Sequence, residues 1–135
     1  MKNKLSVLLA IAFVLATGVT AGALPVALQS YTEIEITDGN AVVSGEVSNG
    51  HNIFGFEAFA GDLLTLNIDV TAILPGSENE DDDTQLFLFD EWGALLAEND
   101  DAADNNFQSL IDDFFVKQDG VYFVGVTTFD NPPPV

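Results

Sequence analysis

The sequence predicts an all-β protein, a sandwich or jelly roll. Three observations predict it: about eight short runs of strand character, turn residues between them at close and regular spacing, and no convincing helix beyond the first two dozen residues. With 135 residues the chain is at most one domain.

The N-terminal stretch is read apart from the domain. Lys2 and Lys4 make a short basic region, residues 5–16 are almost unbroken apolar, and Ala21-Gly22-Ala23 places small residues where a signal peptidase reads. This is the three-part layout of a secretory signal peptide, expected to be helical and cut after Ala23. A membrane anchor is the rival. The apolar run is shorter than the ~20 residues a spanning helix needs and ends in small residues, not a charged stop. The expected product is exported, with no membrane span after cleavage.

Residues 24–30 read as a linker. Residues 31–37 alternate, with Ile34 and Ile36 on one face and Glu33 and Glu35 on the other, the pattern of a strand with one wet face. Asp38-Gly39-Asn40 is turn chemistry, so residues 41–47 are expected to pair back as a hairpin. After the turn at 48–50, residues 53–60 carry Phe54 and Phe56 on one side and Glu57 on the other. The turn at 60–62 leads to residues 63–70, where Leu64, Leu66, Ile68 and Val70 alternate with Thr65, Asn67 and Asp69. Residues 75–83 form an acidic loop. Residues 84–89 (TQLFLF) are apolar on both faces, as in a central strand. Asp90-Glu91-Trp92-Gly93 turns into a short return strand at 94–97, and 98–106 is a second acidic loop. Residues 109–116 and 121–129 are two further strands, and 130–135 is a proline-rich tail. The sandwich is therefore expected over 31–129.

Charge excludes several partners. All 22 acids follow Ala23 and only Lys117 among the basic residues does, so the mature chain carries one positive charge against 22 negative, a net of −21. Nucleic acid and anionic lipid both need Lys and Arg facing phosphate, which this chain lacks. The acidity suits a cationic partner, divalent ions or plain solubility. The chain has no cysteine, so its core must hold it without disulfides.

Catalytic signatures are missing. The chain has one histidine, His51, and no H-E-x-x-H, no G-x-S-x-G and no phosphate-binding glycine loop. A carboxylate-dependent hydrolase remains as an alternative, but among 22 acids proximity alone identifies no catalytic pair. The positive signal is the clustering of acids in loops: Glu78 to Asp83, then Asp90 and Glu91, then Asn99, Asp100, Asp101 and Asp104. Loop oxygens in this number suit Ca²⁺, which takes six to eight of them. The spacing is not that of an EF-hand, since Asp81 and Asp83 fit its first two positions but the sixth is Leu86 where glycine is required. Solvated loop acids fit the residue counts equally well.

The stretch 42–126 resembles the bacterial pre-peptidase C-terminal domain. Residues 54–62 (FGFEAFAGD) match its aromatic strand ending in a Gly-Asp turn, and 83–90 (DTQLFLFD) match its strand of the form L-x-L-[FY]-D. Asn99-Asp100-Asp101, then Ser109 to Ile111, then the Gly-x-Tyr-x-x-x-Val close at 120–126 follow in the family's order. The resemblance implies an antiparallel β-sandwich of jelly-roll type in a secreted bacterial protein, often stabilised by Ca²⁺ and without catalytic residues. It also implies an accessory role at a matrix, polysaccharide or protein surface. The matched acids Asp83, Asp90, Asn99, Asp100 and Asp101 are the candidate ligands, with Asp83 and Asp101 foremost and Asp104 added from its loop position. Trp92 is a candidate contact residue, or else a cap on the core. The family closes with one more strand than is found here, so either residues 31–37 fill that place or the sequence is a fragment, the reading favoured because an open sheet edge invites aggregation. A structural envelope or assembly protein without a specific ligand is the alternative role.

Overall fold

A computed structural model describes residues 24–47, 51–72, 83–129 and 131–134. The expected signal-peptide helix lies outside the described residues. Seven strands are present among them: β1 (Thr32–Glu33), β2 (Asn52–Ala58), β3 (Leu63–Asn67), β4 (Thr84–Phe89), β5 (Leu95–Asn99), β6 (Leu110–Phe115) and β7 (Gly120–Thr128). They form a five-stranded sheet in the order β1-β2-β7-β4-β5 and a two-stranded sheet, β3-β6. The described part is thus all-β with two sheets, as the spacing of turns predicts.

Both sheets contribute to one core. Phe56, Ala58, Leu86, Leu88, Tyr122 and Val124 come from the large sheet, and Leu64 and Ile111 from the small one, with Val116 just beyond β6. These are the alternate residues of each strand, so the period of two that identifies the strands also selects the buried face. Ile34 and Ile36 pack against this core as their alternation implies.

A second apolar cluster lies on the opposite face of the large sheet, built from Ile53, Phe87, Phe89 and Phe123. The segment read as a linker covers it. Residues Val26–Leu28 form a single 3-10 turn, and Leu28 is completely buried in this cluster. Two glycines let the N-terminal segment lie close to the sheet. A Cβ at Gly93 would come within 2.5 Å of Pro25, and one at Gly55 within 2.6 Å of the Tyr31 ring. Tyr31 packs edge-on to Phe123 with ring centroids 5.1 Å apart. The double-faced apolar pattern of β4 thus has a cover on each side.

Two expectations are corrected. The hairpin between 31–37 and 41–47 does not form: Asp38 and Gly39 make a tight turn, both with positive φ, and Thr37 pairs with Asn40, but pairing ends there. The preceding backbone is engaged elsewhere, with Ile34 N–H donating to the Gly55 carbonyl at 2.8 Å, while residues 41–46 are exposed. Nor is the sheet wholly antiparallel, because β1 pairs with β2 in parallel. A parallel neighbour requires a long connection, and residues 34–51 supply it. All other strand pairs are antiparallel.

Candidate functional site

The strand registers decide which acidic loops meet. Thr84 opens β4 opposite Thr128 of β7, and Asn99 closes β5 opposite Leu86. The residue before β4 and those after β5 therefore emerge at one end of the large sheet. There Asp83, Asp100 and Asp101 each offer a carboxylate oxygen, and these three oxygens lie within 4.8 Å of one another. Asp83 and Asp100 are half-buried and Asp101 is exposed. Three like charges this close repel, by about 1 kcal/mol per pair even in bulk water and more where water is partly excluded. The Asp100 Oδ1 is buried and has no hydrogen-bond partner among the described residues. A buried carboxylate oxygen without a donor is costly, and a bound cation would offset that cost.

The other candidates are placed differently. Asn99 does not point its oxygen at the cluster: Oδ1 accepts from Leu110 N–H at 2.7 Å, and Nδ2 donates to the Asp101 carbonyl at 3.1 Å. It closes the neck of the loop that carries Asp100 and Asp101. Asp90 sits at the far end of β4, where Oδ1 accepts from Trp92 N–H at 2.9 Å and Ala94 N–H at 2.8 Å, a side chain hydrogen-bonded to its own turn. Asp104 lies exposed in the turn bridged by Ala103 and Asn106, apart from the three converging carboxylates. Trp92 is about half exposed, at 49%. His51 sets its Nε2 2.7 Å from the Pro132 carbonyl and its ring beside Phe87.

Two buried hydroxyls near the site carry no charge and gave no ligand signal in the sequence. Ser109, at the head of β6, is completely buried, and Thr84 is 5% exposed. A small hydroxyl residue opening an apolar strand after an acidic loop is the one trace they leave.

All three carboxylates are hard oxygen donors, with no sulfur or imidazole in the cluster, a donor set suited to Ca²⁺ in preference to softer metals. Their chemistry fits the ion that the resemblance implies. No curated protein and no solved structure matches the chain. A family model does, over residues 50–128, covering β2 to β7 and all three converging acids. That family is generally a non-catalytic C-terminal module. With the match spanning more than half of the sequence, the chain belongs to the bacterial pre-peptidase C-terminal domain family.

Proposed function

We propose that this protein is an exported, non-catalytic β-sandwich module of jelly-roll type that binds Ca²⁺ through Asp83, Asp100 and Asp101 and contacts a matrix, a polysaccharide or a protein surface. The observation that carries the cation reading is the convergence of three carboxylates around a buried, unpartnered Asp100 Oδ1. Asp83 and Asp101 supply charge from two different loops, so the ion ties the entry of β4 to the exit of β5. Export is supported by the signal-like N-terminus, and half-exposed Trp92 is the candidate contact for a partner.

The test is the thermal melt of the purified protein in EDTA and then in millimolar Ca²⁺ at fixed ionic strength. An ion present at about 100 times its dissociation constant adds about 2.7 kcal/mol to the folded state, which raises the midpoint by roughly 8–15 °C in a domain of this size. The rise should vanish in Asp83→Asn combined with Asp101→Asn. An equal rise with NaCl alone would mean the acids are only a repelling surface.

One observation favours the assembly reading. β5 is an edge strand, and Leu95 and Leu96 on it are exposed. Paired edges are a route to self-association. Sedimentation over a hundredfold range of concentration separates the readings: a module that recognises other surfaces stays monomeric, whereas an assembly protein grows with concentration.

A further inference from the structure

The three acids come from two loops, Asp83 from one and the adjacent Asp100 and Asp101 from the other, and they repel one another. What holds their backbones is the pair of hydroxyls beneath them. Ser109 N–H donates to Thr84 Oγ1 at 3.0 Å. Ser109 Oγ lies 2.6 Å from the buried Thr84 carbonyl and 2.9 Å from the partly buried Asp100 carbonyl, so its one proton is shared between two acceptors. The Thr84 hydroxyl, 3.1 Å from Ser109 Oγ, is left to donate there. Asn99 completes the arrangement by joining the Asp101 carbonyl to the first amide of β6. One hydroxyl thus grips the carbonyl of a proposed ligand, Asp100, and that of Thr84, the residue after another, Asp83.

We infer that Thr84 and Ser109 are the positioning residues of the cation site, and that cation binding locks the start of β4 to the start of β6. This joins the two sheets at one end of the sandwich. The inference rests on the proposed cation reading. Neither hydroxyl is offered as a ligand. Their role is to fix the backbone from which Asp83 and Asp100 project, so that the carboxylates already converge when the ion arrives. Without the Ser109 hydroxyl, the buried Thr84 carbonyl and the partly buried Asp100 carbonyl lose this donor, and charge repulsion is free to part the loops.

The experiment is calorimetric titration with Ca²⁺ alone, well below the melting midpoint, on the purified protein and on Ser109→Ala, Thr84→Val, Thr84→Ser and Tyr122→Phe. Removing either hydroxyl should weaken binding at least about tenfold, the scale seen for partners that orient metal ligands. Thr84→Ser keeps the hydroxyl and should bind like the parent. Tyr122→Phe removes a bond to the Gln118 carbonyl at the opposite end, so it should lower the melting midpoint without changing Ca²⁺ affinity. In the parent protein, amide exchange at Ser109 and Leu110 should slow when Ca²⁺ is added, a readout that needs no variant to fold. Parent-like affinity in both Ser109→Ala and Thr84→Val, or no slowing of exchange on binding, overturns the positioning role and leaves the cation reading standing. No Ca²⁺ binding by the parent overturns both.

Discussion

At one end of β4 three acids cap the backbone, and at the other neutral side chains do that work. Asp62 accepts from Phe59 N–H at 2.8 Å, Asp119 from Ala60 N–H at 2.8 Å, and Asp90 from two amides of its own turn. These carboxylates do what short polar side chains commonly do in turns. At the opposite end, six strand residues or about 20 Å away, the corresponding work falls to neutral groups: Ser109, Thr84 and Asn99 satisfy the loop backbone. The acids there converge, and Asp100 keeps a buried oxygen without a partner among the described residues. An acid-rich loop becomes a candidate ion site when something else has already satisfied its backbone.

This contrast can be broken at either end. The largest effect within the turn-capping end is expected from Asp90→Ala, which strips two amides of their acceptor and should cost about 1–2 kcal/mol, the usual scale for a lost cap. Thermal melts should show the same loss with and without Ca²⁺. If Asp90→Ala also abolished the Ca²⁺-dependent rise, the two ends would not be distinct.

A smaller effect is expected from Tyr122. Its phenol is held above the ordinary value of 10.0, first by burial and then by the charges of Asp90, Glu91 and Asp119. The folded state therefore keeps the proton longer than the unfolded chain. The stability this provides is fully present below pH 10 and is lost as pH rises through the folded-state pKa. Melts in alkaline buffer should show the parent weakening through this window, and Tyr122→Phe should lack that component while losing about 1 kcal/mol at neutral pH with its bond to Gln118. An unchanged alkaline profile in the variant would place the titration elsewhere.

The smallest effect belongs to Asp104. It is exposed and outside the converging group, so Asp104→Asn should change stability by less than about 0.5 kcal/mol and leave the Ca²⁺-dependent rise intact. A lost rise would enlarge the proposed site to include its turn.

Much of the architecture is legible along the chain because strand burial has a period of two. Leu64 and Leu66, Leu86 and Leu88, and Phe87 and Phe89 show in sequence which strands have one apolar face and which have two. Short-range turn chemistry is legible as well, since Asp38-Gly39 makes its turn even though the hairpin around it does not extend. Of the six candidate ligands, the sequence could rank Asp83 and Asp101 only through the family pattern. Asp90 and Asp100 are the same residue type in equally polar loops, and only the register of β4 against β5 and β7 puts one at each end.

By itself, then, the sequence determined the β class, the alternation that builds the inner core, the excess of negative charge and the acidic loops, because each is a property of neighbours along the chain. Tertiary structure alone decided that residues 24–31 cover the outer face of the large sheet, that β1 joins it in parallel, that Ser109 reaches Thr84 and Asp100, and that three carboxylates converge beside them. Those contacts join residues far apart in sequence, and their energies come from sockets, registers and shared protons that exist only once the sheets have packed.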